Sequence, residues 1–213
     1  MVDVGAAVEE LRRTADHLPT ARLHLLNTGV MSARVPGADL IVVKPPGAPI
    51  DRTLAGSVAV TDLSGKILDG VLAPSAGGDA HAVVYRELPA VRSIVNTRST
   101  LSLTWAARGE PIPHLPTIAN GFDGPILVGP YVQTTGESVG RGIVDTLSRS
   151  PAVLMPGQGL FTVGPDAAEA VRAALLLEQT IRSIHIAREL GTAEPVDPHD
   201  LAWLNPPQAS HPV

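Results

Sequence analysis

The chain has 213 residues, of which 44% are hydrophobic, and a formal net charge of −5. A chain of this length is consistent with one domain and can bury about 70% of its unfolded surface, so its core needs no stabilising metal. The acidic balance, without a cluster of Lys and Arg, argues against nucleic acid or an anionic membrane and favours a small molecule or a protein as the partner. The absence of cysteine excludes disulfides, thiolate nucleophiles and Cys-ligated zinc.

The N-terminal residues show no basic segment followed by an apolar one, which a secretory signal would require. Apolar runs also stay far below the roughly 18 residues that indicate a transmembrane helix. We therefore expect a cytoplasmic protein that does not associate with a membrane.

Helical and strand-like patterns alternate irregularly along the chain. Helices are predicted over residues 3–19, 79–88, 100–107, 137–147 and 165–190. Strands are predicted over residues 30–35, 40–44, 57–61, 66–68, 91–95, 125–128, 152–154 and 160–163. This order favours a mixed sheet covered by helices. It predicts one domain over residues 1–192, followed by a proline-rich tail over residues 193–213.

Five short motifs then occur in a fixed order: LNTGVMS at 26–32, VKPPG at 43–47, PSAG at 74–77, IVNTRS at 94–99 and LMPGQGL at 154–160. Together they resemble the class II aldolase and adducin family, which includes fuculose and rhamnulose phosphate aldolases and ribulose phosphate 4-epimerase. The resemblance covers residues 23 to about 187. It implies an α/β fold with three layers, α/β/α, around a central mixed and largely antiparallel sheet. It also implies a homo-oligomer, commonly a tetramer.

The resemblance implies metal-dependent cleavage of a carbon–carbon bond, with three histidines that hold the metal. The matching positions in this chain are Asn96, Arg98 and Gln158. Amides are poor zinc ligands, and a guanidinium is a fixed cation that repels a metal ion. The position of the family's acid–base carboxylate is Gly77, which has no proton to transfer. We therefore expect neither a metal site nor another cofactor.

The family's phosphate-binding positions are only partly retained. Gly29, Gly47 and Ser75 match and are predicted to contact an anion. Three further positions have changed to side chains that do not hydrogen-bond, namely Val30, Pro46 and Ala76. The sequence therefore predicts binding of a small anion without specifying a sugar phosphate.

Arg98 is open to two interpretations. It could bind a carboxylate or phosphate in a bidentate manner or stabilise an enolate, with Asn96 and Gln158 as neutral hydrogen-bonding partners. It could instead pair with a nearby acid or extend into solvent. Tyr131 and Tyr85 are likewise open between proton donors and packing residues with a satisfied hydroxyl.

Other residues near the motifs favour structural roles. His81 matches a family position that is not a metal ligand, and Asp79 lies two residues before it, so the two do not share a helical face. His114 and Asp123 complete the candidates for a relocated metal site. Pro156 and Gly157, in the motif at 154–160, are typical of a turn, although they could also form the floor of a pocket.

Three functions therefore compete. The first is a protein that binds a small carboxylate or phosphate without metal-dependent aldolase turnover. The second is a metal-independent lyase, decarboxylase or isomerase that acts on a small keto acid, hydroxy acid or sugar phosphate, with Arg98 as the electrophile. The third is an ordinary metal-dependent aldolase, which would require ligands that the matched positions lack.

Overall fold

The computed structural model describes residues 3–15, 17–20, 23, 28–44, 58–70, 76–113, 122, 124–133 and 136–191. The helices are α1 (Val4–Ala15), α2 (His17–Thr20), α3 (Ala76–Glu87), α4 (Thr100–Arg108), α5 (Gly136–Leu147) and α6 (Ala167–Leu190). The strands are β1 (Val30–Arg34), β2 (Leu40–Lys44), β3 (Ala59–Asp62), β4 (Ile67–Asp69), β5 (Ser93–Thr97), β6 (Leu127–Val128), β7 (Ala152–Met155) and β8 (Gly159–Gly164).

All eight strands form one sheet in the order β4-β3-β2-β1-β5-β8-β7-β6. Every neighbouring pair is antiparallel except β6 and β7, which are parallel. The predicted mixed and largely antiparallel sheet is confirmed. Strands β1 and β5 lie at its centre, where both faces are covered by helices.

The two faces of the sheet bury separate sets of apolar side chains. On one face, α1 and the first half of α6 pack against residues such as Met31 and Val95. On the other, α3 and α5 pack against residues such as Val30 and Ile94, which alternate with the first set along the strands. A third cluster lies between α4, the second half of α6 and strands β7 and β8. The sheet with helices on both faces confirms the predicted fold class.

Local signals explain where several helices begin and end. Ser99 caps α4 by accepting a hydrogen bond from the Ser102 amide, and Gly109 ends the helix with a left-handed backbone at φ 70°. Asp166 caps α6 in the same way through the Glu169 amide. Helix α3 ends at Glu87 because the residue that precedes Pro89 disfavours helical geometry.

Some predicted boundaries are wrong. The strand predicted at 91–95 lies at Ser93–Thr97, because a turn places the Val91 amide on the Leu88 carbonyl at 3.0 Å. The single helix predicted over 3–19 is described as α1 and the short α2. Helix α3 begins at Ala76, three residues before the predicted start. The predicted tail at 193–213 lies outside the described residues, and among those that are described no helix has the length and hydropathy to cross a membrane.

Candidate functional site

The motif residues Asn96 and Arg98 come together with the β7–β8 turn at one edge of the sheet. Asn96 pairs with Val30 on β1 and with Phe161 on β8. The turn that joins β7 to β8 spans residues 156–158 and lies beside the end of β5. We call this region, formed by Gly29, Asn96, Arg98 and residues 156–158, the turn edge.

Asn96 fastens the turn to β5. Its side chain is only 2% exposed, and its Nδ2 donates to the carbonyl oxygens of Gln158 at 3.0 Å and Leu160 at 3.2 Å. Both acceptors are backbone carbonyls of the β7–β8 hairpin. The Nδ2 group of Asn96 therefore holds the hairpin against β5.

The backbone of the turn has the geometry that Pro156 and Gly157 favour. The Gln158 amide donates to the Met155 carbonyl at 2.9 Å, and Gly157 has φ 74°, as in a type II turn. Gly159 follows with φ 89°, and a Cβ at this position would lie 2.2 Å from the Thr97 carbonyl oxygen. Close contact between the hairpin and β5 therefore requires glycine at 159.

Arg98 extends over the turn and remains partly exposed. Its Nη2 donates to the Gly157 carbonyl at 2.8 Å, and its backbone amide donates to the Leu23 carbonyl at 3.2 Å. Within the described part of the chain no carboxylate lies within ion-pair distance of Arg98. Among the described residues, the guanidinium thus carries a positive charge that no carboxylate pairs with.

Of the remaining predicted ligand-binding and catalytic residues, the structure describes Gly29 and Tyr131. Gly29 is buried at the start of β1, next to the residue that pairs with Asn96. Tyr131 is 82% exposed, and no hydrogen bond joins it to Asn96 or Arg98. Gly47 and Ser75 lie outside the described residues, as do His114 and Asp123.

The comparisons with known proteins agree with this architecture. Residues 9–185 match the model of the class II aldolase and adducin N-terminal domain. The chain belongs to this family. Its fold is similar to that of L-fuculose 1-phosphate aldolase, with 18% identity, a TM-score of 0.82 and coverage of 95% of this chain and 96% of that one.

Two structures of YgbL, each described as a putative aldolase/epimerase/decarboxylase, are also similar. The Klebsiella pneumoniae protein shares 24% identity at a TM-score of 0.77, with coverage of 91% of this chain and 93% of that one. The Escherichia coli protein shares 20% identity at a TM-score of 0.80, with coverage of 93% and 97%. At these identities the likeness is one of fold.

The class II aldolase fold of this chain contains a cluster of three buried polar side chains; the sequence favoured a structural role for His81 and left the role of Tyr85 open. We call Ser32, His81 and Tyr85 the Ser32 network. The Ser32 Oγ lies 2.7 Å from His81 Nδ1 and 2.8 Å from the Tyr85 hydroxyl, and all three residues are fully buried. Burial lowers the pKa of His81 to about 3 and raises the pKa of Tyr85. His81 is therefore neutral, and Tyr85 packs with a satisfied hydroxyl.

Two buried ionisable groups near the turn edge were missed by sequence reasoning. Lys44 is fully buried, its Nζ donates to the Gly29 carbonyl at 2.9 Å, and burial lowers its pKa to about 8. Lys44 pairs with Met31 and so faces the α1 and α6 side of the sheet, opposite Asn96. The KPPG motif marked the position, although nothing in it indicated the direction of the side chain.

Glu178 on α6 is the second. It is 6% exposed, and its Oε2 accepts a hydrogen bond of 2.7 Å from Ser99, the residue after Arg98. Burial raises the pKa of Glu178, while the bond from Ser99 and the charge of Arg182 act in the opposite direction. In the sequence Glu178 is one acid among several on a long helix, so no signal distinguished it.

Proposed function

We propose that this class II aldolase family member binds a small carboxylate or phosphate at the turn edge without metal-dependent aldolase turnover. The observation that carries the proposal is the guanidinium of Arg98, which no described carboxylate pairs with and which the Gly157 carbonyl holds at a position where the family is expected to have a metal ligand. A permanent cation in this position can attract the same negatively charged groups that a metal ion would attract.

The donor set at the turn edge does not fit a divalent metal. Asn96 presents N–H groups to two carbonyl oxygens, and Arg98 is itself a cation. Zinc prefers imidazole, thiolate and carboxylate ligands. Among the residues that the structure describes, no group of three His, Asp or Glu side chains could hold a metal ion.

The geometry of Arg98 suits an anion instead. One of its N–H groups is occupied by the Gly157 carbonyl, which restricts the side chain, and the rest of the fork stays available in a partly exposed position. Guanidinium groups bind carboxylate and phosphate through two parallel hydrogen bonds. Because part of the side-chain entropy is already lost in the free protein, binding costs less.

The test is a calorimetric titration of the purified protein with inorganic phosphate and with acetate. We expect Arg98→Ala to weaken binding of the preferred anion at least about tenfold, the usual worth of a charge-assisted hydrogen bond. Arg141→Ala is the matched control, since it removes an exposed arginine that pairs with Glu137 on α5. Equal affinities for the two variants would contradict the proposal.

The same charge supports a second candidate, a metal-independent lyase, decarboxylase or isomerase in which Arg98 stabilises an enolate. Such an enzyme would lose turnover of small keto or hydroxy acids in Arg98→Ala while it kept its melting temperature. Normal turnover by that variant would eliminate this candidate.

The family resemblance also supports assembly into a homo-oligomer, with a tetramer as the expected form. Light scattering coupled to size-exclusion chromatography measures the mass directly. A mass of one chain at micromolar concentration would contradict this part of the proposal.

A further inference from the structure

A second positively charged region lies at the opposite end of the central strands. The Arg34 amide donates to the Arg92 carbonyl at 2.8 Å, beyond the last β1–β5 pair. Asn96 is four residues further along β5, about 13 Å away at the usual rise of a strand. The two arginines line a cavity of about 320 Å³ with Gly37, Asp39 and Pro89, which we call the Arg34–Arg92 groove.

Arg34 is held rigidly in the wall of this groove. Its side chain is only 10% exposed, its Nη2 donates to the Tyr85 carbonyl, and its Cζ lies 5.4 Å from the centre of the Tyr85 ring. Its Nε is buried and has no acceptor among the residues that the structure describes. The guanidinium is thus positioned by packing and by one hydrogen bond, and it is not neutralised by them.

The acids around the groove do not balance its two cations. Asp39 Oδ1 approaches Arg34 Nη1 only to 4.0 Å, and the Asp39 side chain is 91% exposed. Within the described residues Arg92 has no side-chain hydrogen bond or ion pair. Among the described residues, one loosely placed carboxylate therefore faces two guanidinium groups, one of which is fixed.

We infer that the Arg34–Arg92 groove binds the phosphate group of a small phosphate monoester. A phosphate monoester carries a charge of about −1.5 to −2 at neutral pH, which matches two guanidinium groups better than a single carboxylate does. The volume is at the lower limit of roughly 300 Å³ for small-molecule pockets, so it suits the phosphate and a short organic substituent. This inference is independent of the proposed function, since the groove and the turn edge do not share a residue.

The test is a titration of isotope-labelled protein with inorganic phosphate and with methyl phosphate, followed through the backbone amide signals of Gly37 and Ala38. We expect the chemical shifts to saturate, and we expect Arg92→Ala to weaken the affinity obtained from them at least about tenfold. Arg149→Ala removes an exposed arginine elsewhere and should stay within about twofold of the wild type. Arg98→Ala should leave the groove signals unchanged, which separates this site from the turn edge.

Arg34→Lys gives a second variant, which keeps the charge and loses the planar fork. We expect this variant to lose more affinity for methyl phosphate than Arg149→Ala and less than Arg92→Ala. Equal affinities for Arg92→Ala and Arg149→Ala would overturn the inference, as would shifts that do not saturate. It would also be overturned if Arg92→Ala altered the mass of the assembly and left phosphate affinity unchanged, since the groove would then be a contact between copies of the chain.

Discussion

The Ser32 network joins β1 to α3, and the turn edge joins β5 to the β7–β8 turn. Their polar groups are satisfied in different ways. Ser32 pairs with Ile94, two residues from Asn96 along β5. In the network, side chains satisfy one another in full burial, and only His81 Nε2 lacks a partner. At the turn edge, Asn96 and Arg98 bond backbone carbonyls, and among the described residues no carboxylate pairs with the partly exposed Arg98.

We infer from this difference that the Ser32 network stabilises the fold and that the turn edge is available for binding. A buried polar network contributes to stability because each partner that is lost leaves another group desolvated. A partly exposed cation contributes little to folding, so its position is available for binding. Substitutions in the network should therefore lower the free energy of unfolding, and substitution of Arg98 should change ligand affinity.

The largest effect is expected for Ser32→Ala. Removal of one hydroxyl leaves both His81 Nδ1 and the Tyr85 hydroxyl without their partner in a fully buried site. We expect a loss of about 2–4 kcal/mol in the free energy of unfolding, measured by urea denaturation. Ser148→Ala removes an exposed hydroxyl that donates to the Asp145 carbonyl, and it should change the free energy of unfolding by less than about 0.5 kcal/mol. Similar values for the two variants would contradict the assignment of the network to stability.

A smaller and pH-dependent effect is expected from His81. Its pKa is lowered to about 3 in the folded protein, so protons bind to the unfolded chain first when the pH falls below the ordinary value near 6.5. The stability that neutral His81 provides is therefore complete above that pH and is lost on acidification, by about 1.4 kcal/mol per pH unit.

The contribution of His81 is isolated by subtracting the free energy of unfolding of His81→Asn from that of the wild type at each pH. Asparagine retains a polar atom near the position of Nδ1. The difference between wild type and variant should be constant from pH 7 to 8 and should shrink from about pH 6 to 5. A difference that does not change with pH would show that His81 is not buried in its neutral form.

The smallest effect on stability is expected from Glu178, next to the turn edge. Its pKa is raised by burial, so the stability associated with its protonated form is present at low pH and is lost as the pH rises above the ordinary value near 4.5. Glu178→Gln keeps an acceptor for the Ser99 hydroxyl and has no charge to bury. It should match or exceed the wild type at pH 7 and lose that advantage at pH 4. A variant that is less stable by the same amount at both pH values would contradict this.

The sequence predicted the sheet and most helices because their signals are local. Ser99 and Gly109 enclose α4, and its predicted and observed starts agree. The predicted bounds of β5 lie two residues too early because the buried polar residues Asn96 and Thr97 belong to the strand, and their partners lie on other strands. Such pairing depends on tertiary contacts that a local apolar pattern does not contain.

At the candidate site the sequence predicted position better than bonding. The motifs grouped Asn96 and Arg98 with Gln158, and in the structure both residues lie beside the β7–β8 turn that contains Gln158. They did not indicate that both side chains bond backbone carbonyls, because that depends on the path of the turn around Gly157 and Gly159. Direct roles for Arg98 and Tyr131 in catalysis stay predictions.

The central claim is that the turn edge works without a divalent metal. Its most direct test is the amount of zinc that the purified protein retains after incubation with zinc and dialysis, measured by inductively coupled plasma mass spectrometry. If Arg98 has taken the place of a metal at the turn edge, retention is well below one ion per chain and is the same in Arg98→Ala. One zinc ion per chain, lost in Asn96→Ala, would contradict the account.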